Sequence, residues 1–461
     1  MKRILSLLLV LVLAFSVVAC NNNNNENNNA NNAGNNENNV MTDNNAGSTD
    51  DTETPVGDND NDATITVQAE TDWLPYYEAA KARVEAMYPK ATIEIMEIPS
   101  FDNLDVLDAT DVTNVDVPDV FAIPADRLAG LAQNEALAGL DSLTMANAVG
   151  GFSDFDGGLG GNLKMNGDYL AFPMNIETLI IFANTANAAD KGIDLTQTIE
   201  FTELGHEDML VPVFNAWFGV ALTNSANVEL LGQDGDTFFS DLVKDFSELN
   251  ADQQALFTAL YDFWKMQDEA GTDAWDSSAT WGYMDAEFAT GGNNVLRLEG
   301  PWSTGGLSDM AGSGADLEIL PITQVTINGN PLAHWKGGWG LAVNARIEED
   351  ADKMDLASAM IQEIMNPDYA VDMFKAAGKI MPNVEASVYA DSDLSETDKK
   401  VIAAVFESYA DAPNRPLFKE WGSVWTTWEN SVLSWSALKP ASVEDAYKEV
   451  QAAFKAMMMN Y

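Results

Sequence analysis

Fourteen of the nineteen positions in residues 21–39 are asparagine, and the chain stays polar and acidic as far as residue 62. Such a tract cannot bury enough apolar surface to offset the entropy of ordering it, so a folded body is expected only from near Ala63. As a flexible coil, residues 21–62 would reach roughly 35 Å. About four hundred residues follow, more than one hydrophobic core usually organises, and two lobes are expected. Charge narrows the partners. The chain carries 72 acidic and 23 basic residues, a net charge of −49. A surface so negative repels nucleic acid and anionic lipid, both of which call for patches of Lys and Arg. It fits either a saline habitat or ordinary charge-based solubility, and it says nothing of a ligand.

The first residues read as an export signal. Lys2 and Arg3 precede an apolar stretch over residues 4–18, interrupted only by Ser6 and Ser16 and closed by Val17-Val18-Ala19-Cys20. That order of charge, apolar run and small residue marks a cleaved signal; the run is too short for a comfortable span and lacks a second positive flank. Cys20 is the only cysteine, so no disulfide role competes for it. The Ala19-Cys20 junction resembles the lipobox of bacterial lipoproteins, which implies a diacylglycerol thioether on Cys20 and cleavage before it. Residues 1–19 are thus expected to be a signal peptide, and residues 20–62 a lipid-anchor cysteine with a disordered Asn-rich linker. The folded part would work outside the cytoplasmic membrane. Losing Lys2 and Arg3 leaves 21 basic residues and a net charge of −51.

From residue 64 the pattern alternates between strand and helix. Thr64-Ile65-Thr66-Val67-Gln68-Ala69 reads as a strand, and Asp72 is a plausible N-cap for a helix with Pro75 in its first turn. Tyr77, Ala80, Val84 and Met87 recur at helical spacing before a second strand at residues 92–98 and a third apolar run at residues 117–123. Strand, helix and strand in succession predict an α/β lobe with a mainly parallel sheet. Residues 294–298 and 340–344 read as further buried strands. Residues 352–378 predict a helix broken at Asn366-Pro367 and ended by Gly378. Ser442-Val443-Glu444-Asp445 predicts a capped final helix with Val443, Ala446, Tyr447, Val450, Phe454 and Met457 on one face.

The chemistry the chain lacks is informative. With two histidines and no cysteine after residue 20, it has neither His–Cys metal cages nor Cys–His nucleophile pairs, and GxSxG, P-loop and HExxH motifs are absent. The Asp-rich stretch of residues 102–119 lacks calcium-loop spacing, so no metal or cofactor is expected. His334 lies in His334-Trp335-Lys336-Gly337-Gly338-Trp339, either lining a cleft or facing solvent. Carboxylates are too numerous for any pair to be singled out as acid and base. The positive signal is twelve tryptophans, several in predicted loops: Trp73, Trp217, Trp281, Trp302, Trp335, Trp339, Trp421 and Trp425. Flat indoles stack on the C–H faces of pyranose rings, while carboxylates and Arg bind hydroxyls. Trp302, Trp339 and Trp421 stand beside Gly or Pro turns and are the strongest stacking candidates.

Three stretches, in order, carry a family resemblance. They are Pro118-Asp119-Val120-Phe121-Ala122-Ile123-Pro124-Ala125-Asp126-Arg127, the segment Lys164-Met165-Asn166-Gly167-Asp168-Tyr169 running on to Asn175-Ile176-Glu177, and Ala286-Glu287-Phe288 leading to Gly300-Pro301-Trp302. Together they resemble extracellular solute-binding proteins of carbohydrate ABC transporters (family 1), in the maltose/maltodextrin-binding branch. The resemblance implies an α/β fold of the two-lobed periplasmic-binding-protein (Venus flytrap) type. Each lobe would be a mostly parallel sheet flanked by helices, joined by a multi-strand hinge. It implies that Asp126 and Arg127 bind sugar hydroxyls from the first lobe, Glu177 near the hinge, and that Trp302 stacks from the second. Asp72 and Trp73 fall where the family has polar contacts, and Trp421 lies close to another stacking position. The chain departs from the pattern at Val211-Pro212-Val213-Phe214, where the maltose binders flank the proline with an acid and an aromatic.

The expected N-terminal lobe is residues 63–175 with 341–386, and the C-terminal lobe residues 176–340 with 387–461. The function implied is capture, without catalysis, of a maltodextrin-like carbohydrate for ABC permease subunits, with the membrane reached through the anchor. Another oligosaccharide or a peptide is the alternative ligand, and a secreted glycoside hydrolase or glycan adhesin the alternative class.

Overall fold

The computed structural model describes residues 60–109 and 112–461. The signal segment, Cys20 and the linker up to residue 59 lie outside the described residues. Two sheets organise the rest. The first has five strands, β1 (Thr64–Ala69), β2 (Thr92–Glu97), β3 (Val120–Pro124), β4 (Phe172–Glu177) and, much later in the chain, Gly337–Val343. The second is built from β5 (Ile180–Asn184), β6 (Met209–Leu210), β7 (Leu296–Glu299) and β8 (Leu317–Leu320), which makes Gly337–Val343 β9. Their orders are β2-β1-β3-β9-β4 and β8-β5-β7-β6. This is the two-lobed α/β fold, each sheet flanked by helices.

The sheets are more mixed than the expected mainly parallel ones. β1 pairs in parallel with β2 and β3, but β9 is antiparallel to both β3 and β4, and β5 is antiparallel to β7 and β8. The reason is the route of the chain. β4 leads out of the first sheet and β9 leads back into it, so the two must run in opposite directions. β5 carries the chain away from the junction, while β6, β7 and β8 return toward it.

β3, β5 and β9 are buried along their whole lengths, as strands covered on both faces must be. The alternation of side chains then divides β5 between two cores. Ile180 and Phe182 join a cluster with the first sheet, whereas Leu179, Ile181 and Ala183 pack into a second cluster with helices of the other lobe.

The helical expectations are met except at one cap. α1 (Leu74–Met87) buries Tyr77, Ala80 and Val84, and Tyr76 donates a hydrogen bond of 2.6 Å to the Ile364 carbonyl of a partner helix. Asp72 does not cap α1. Residues Thr71–Trp73 form a 3-10 turn that places Trp73 in the cap position and leaves Asp72 exposed. The break at Asn366-Pro367 is real, with the Asn366 side chain accepting from the Asp368 N–H at 3.1 Å, and Gly378 ends the next helix at φ 63. Ser442 caps the last helix (Val443–Met458) by accepting from the Asp445 N–H.

At the edge of the first sheet away from the junction, Asp119 ties three strands together. One carboxylate oxygen accepts from the Thr66 N–H of β1 at 2.9 Å, and the other from Arg346 Nε, beyond β9, at 2.8 Å. Asp119 itself precedes β3 and is 4% exposed. Removing one partner of a buried pair leaves the other charge without compensation, so Asp119→Ala should cost about 3–5 kcal/mol of stability. Denaturant unfolding checks this; a loss below about 1 kcal/mol would mean that the pair behaves as a surface one.

Candidate functional site

The carboxyl ends of β1, β3, β4, β6, β7 and β8 all point at the junction of the lobes, the usual place for a ligand in α/β sheets. A cleft of about 610 Å³ opens there. The first lobe supplies Glu70 after β1, Phe101 from the helix Ser100–Ala109, and Asp126 and Arg127 from the 3-10 turn Ala125–Arg127 that follows β3. The hinge supplies Glu177 at the end of β4, Trp339 in β9, and Lys379. The second lobe adds Asn215 and Trp217 at the start of the helix Ala216–Ser225, Trp302 in the turn after β7, Arg415, and Trp425 from the helix Gly422–Leu438.

Each of these side chains is held by something specific. Trp339 donates its indole N–H to Glu177 Oε2 at 2.7 Å and meets the Phe101 ring edge-on at 5.4 Å. A register shift between Trp339 and Gly340 sets the ring at the hinge. Trp302 is 54% exposed, its ring 6.4 Å from that of Trp217. The ring lies back over Gly300, where a Cβ would push the half-exposed indole aside, so the glycine lets the ring settle on the turn. Beneath the turn, Arg297 bonds Asp285 at 2.5 Å, and burial pushes the Glu299 carboxyl above its ordinary range.

Arg415 is the electrostatic centre. Its guanidinium pairs with Asp126 Oδ2 at 2.8 Å and lies 5.0 Å from the Trp217 ring, 5.3 Å from Trp335 and 6.0 Å from Trp425. Burial lowers its pKa, and Asp126 and Glu177 oppose that shift. Asp126 Oδ1 has no hydrogen-bond partner among the described residues. Arg127 pairs with Asp108.

Five of the expected site residues therefore share the cleft: Asp126, Arg127, Glu177, Trp302 and Trp339. Asp72 and Trp73 stand aside from its wall, Trp73 being buried in the first core. Trp421 lines an adjoining cavity of about 450 Å³ that shares Asp126, Arg127 and Trp425 with the cleft. Its ring packs against Trp335 at 4.9 Å and Trp425 at 4.7 Å. Trp425, four residues on and so on the same helical side, is the indole that reaches the cleft. Arg415, Lys379 and Phe101 were not singled out by the sequence reasoning, and Trp217 and Trp425 figured there only among eight loop tryptophans. The one available signal was position: Arg415 sits inside the Pro413-Asn414-Arg415-Pro416 stretch that precedes the expected tryptophan.

The altered Val211-Pro212-Val213-Phe214 segment turns inward. Val211, Val213 and Phe214 are core residues of the second lobe, and Trp428 donates to the Val213 carbonyl at 2.8 Å. His334 neither lines the cleft nor faces solvent. It is fully buried, 4.4 Å from the Trp217 ring, with Nε2 donating to the Trp217 carbonyl at 2.9 Å. Among the described residues, no group of three or more His, Cys, Asp or Glu side chains is placed to hold a metal ion, and no helix is long and apolar enough to cross a membrane.

Proteins of known structure share this two-lobed fold. No protein-family model matches the chain. A curated relative, the diacetylchitobiose-binding protein DasA of Streptomyces coelicolor, is 26% identical over 352 residues, which cover 73% of this chain and 76% of the relative. Among solved structures, the maltose-binding protein MalE of Listeria monocytogenes superposes with a TM-score of 0.66 at 18% identity, covering 87% of this chain and 99% of that one. The GacH receptor of Streptomyces glaucescens, solved with acarbose, gives 0.64 at 16% identity over 87% and 99% of the two chains. These comparisons bear out the resemblance to extracellular solute-binding proteins that the three motifs carry.

His334 makes a pH prediction. Burial and the nearby Arg415 hold its imidazole pKa down to about 3, so the folded state keeps it neutral while an unfolded chain protonates it near 6.5. Stability from neutral His334 is therefore present above the unfolded pKa and lost as pH falls toward the folded one. The melting-temperature advantage of wild type over His334→Gln should shrink steadily from pH 7 to pH 4. A difference that stays constant would mean the imidazole is not held neutral.

Proposed function

We propose that the chain is the extracytoplasmic substrate-binding protein of an ABC importer. It captures a carbohydrate, a maltodextrin-like oligosaccharide, between its lobes and delivers it to the permease by hinge closure. The observation that carries this reading is the cleft wall, where Trp217, Trp302, Trp339 and Trp425 alternate with Asp126, Arg127 and Glu177. Indoles cover the apolar faces of sugar rings while charged groups take the hydroxyl rim. The open acceptor on Asp126 suits a ligand hydroxyl. The relatives whose names state a ligand bind diacetylchitobiose, maltose and acarbose, all saccharides. Residues 63–175 with 341–386 would move as one lobe and residues 176–340 with 387–461 as the other, about β4, β9 and the segment at Ile380. Closure would follow the ligand's greater affinity for the closed form. A lipid on Cys20, reached through the Asn-rich leash, would keep the protein beside its permease.

Intrinsic tryptophan fluorescence of the full chain, titrated with maltose, maltotriose, longer maltodextrins, diacetylchitobiose and a mixed peptide pool, tests the reading. A saturable shift with a saccharide supports it, and a response to peptides alone would replace it. Trp302→Ala should weaken saccharide binding by about 1–3 kcal/mol through loss of stacking area, with little change in melting temperature because the ring is half exposed. Unchanged affinity would remove Trp302 from the site.

A further inference from the structure

The aromatic rings that line the cleft are not equally open to it. Phe101 is 59% exposed and Trp302 54%, whereas Trp339 is buried and Trp217 and Trp425 are half-buried. The two open rings come from opposite lobes. Each lies against a less exposed indole of its own wall, Phe101 against Trp339 at 5.4 Å and Trp302 against Trp217 at 6.4 Å.

A lone exposed phenylalanine calls for no explanation, but this one stands on a fixed base. The preceding Ser100 is fully buried; its N–H donates to Glu70 at 3.2 Å, and its hydroxyl accepts from Gln68 of β1 at 3.1 Å. Gln68 is buried too and donates to the Ile98 carbonyl at 2.7 Å. With the start of its helix tied down in this way, the ring has little freedom left to lose on meeting a ligand. Trp339 beneath it is held by Glu177. On the other wall Trp217 lies against Arg415, whose positive charge Glu177 helps to hold. The two aromatic stacks thus converge on a carboxylate and a guanidinium able to bind the hydroxyl rim of a sugar. The rings themselves bind differently. A phenyl ring has no hydrogen-bond donor or acceptor, so a hydroxyl pressed on its face loses water and gains nothing, while a C–H face packs well. The same holds for the face of the Trp302 indole.

We infer that Phe101 is a specificity-determining residue of the cleft: hinge closure sets one pyranose ring of the ligand between Phe101 and Trp302, which selects the gluco configuration. A gluco ring carries its hydroxyls at C2, C3 and C4 equatorially, away from both faces. A manno or galacto ring turns one axial hydroxyl, at C2 or C4, onto one of the two aromatic faces. The inference rests on the carbohydrate reading and adds to it the sugar configuration and the residue that reads it.

The test titrates the full chain by calorimetry with maltotriose, cellotriose and diacetylchitobiose, all gluco-configured, and with mannotriose and galactotriose as axial counterparts. Wild type should bind its best gluco member about tenfold or more tighter than either counterpart, the scale of one hydroxyl left without a partner. Phe101→Ala should weaken binding of that member about tenfold and narrow the preference. Its melting temperature should change little, because the ring is more than half exposed. Phe101→Tyr, which keeps the ring, should keep both affinity and preference. In Phe101→Ala with Trp302→Ala the loss should be smaller than the product of the single losses, since a sugar released from one face is no longer pressed on the other. Unchanged affinity in Phe101→Ala, single losses that simply multiply, or equal binding of an axial counterpart overturns the inference while leaving the carbohydrate reading intact. No response to any of these saccharides overturns both.

Discussion

The side-by-side passage of β4 and β9 between the lobes is the constraint from which the site follows. The strands pair antiparallel with Gly337 opposite Glu177, Gly338 opposite Ile176 and Trp339 opposite Asn175. That approach is close enough that a Cβ on Gly338 would strike the Asn175 carbonyl, so the glycine is a requirement of the crossing. Once the register is set, the Glu177 carboxylate and the Trp339 indole meet in one hydrogen bond. The β5 strand that continues from β4 then presents alternate residues to two cores. The lobes are consequently joined by packed apolar side chains as well as by backbone, and a change at the hinge is felt in both.

A second dependence is electrostatic. Arg415 is a buried cation among Trp217, Trp335 and Trp425, an environment that would be costly without a counter-charge. Asp126 supplies that charge from the opposite lobe. The pair therefore spans the cleft and couples its two walls. His334 belongs to the same arrangement: kept neutral, it packs against Trp217 without adding a second positive charge beside Arg415.

Several features were legible from residues alone because their causes are local. Asn366-Pro367 breaks a helix whatever surrounds it, since the proline lacks an N–H and the asparagine caps the next turn. Ser442 starts the last helix by the same local chemistry. Asp126, Arg127, Glu177 and Trp302 were brought forward by ordered motifs and Trp339 by its place in a Gly-rich turn, and all five face one cleft. The misplacements share a cause. Trp73 and Trp421 are indoles next to turns, like Trp302, but they are 4% exposed whereas Trp302 is 54% exposed. Sequence proximity to a turn does not say which way a side chain points. Asp72 failed as a cap because a 3-10 turn inserted ahead of the helix, a choice made by Trp73 packing into the first core.

By itself, the sequence determined the α/β class, the two-lobed size, the polar Asn-rich tract before the fold, the breaks and ends of the few helices it marked, and the motif residues at the cleft. The motif residues came from the family resemblance; the rest depend on periodicity, capping and composition, which act over a few residues. Only the tertiary structure decided the mixed strand directions, the inward turn of Val211 and Val213, the burial of His334, and the meeting of Arg415 with Asp126. Those outcomes depend on contacts between residues tens to hundreds of positions apart, and no local pattern encodes which partner a lone base or a lone tryptophan will find.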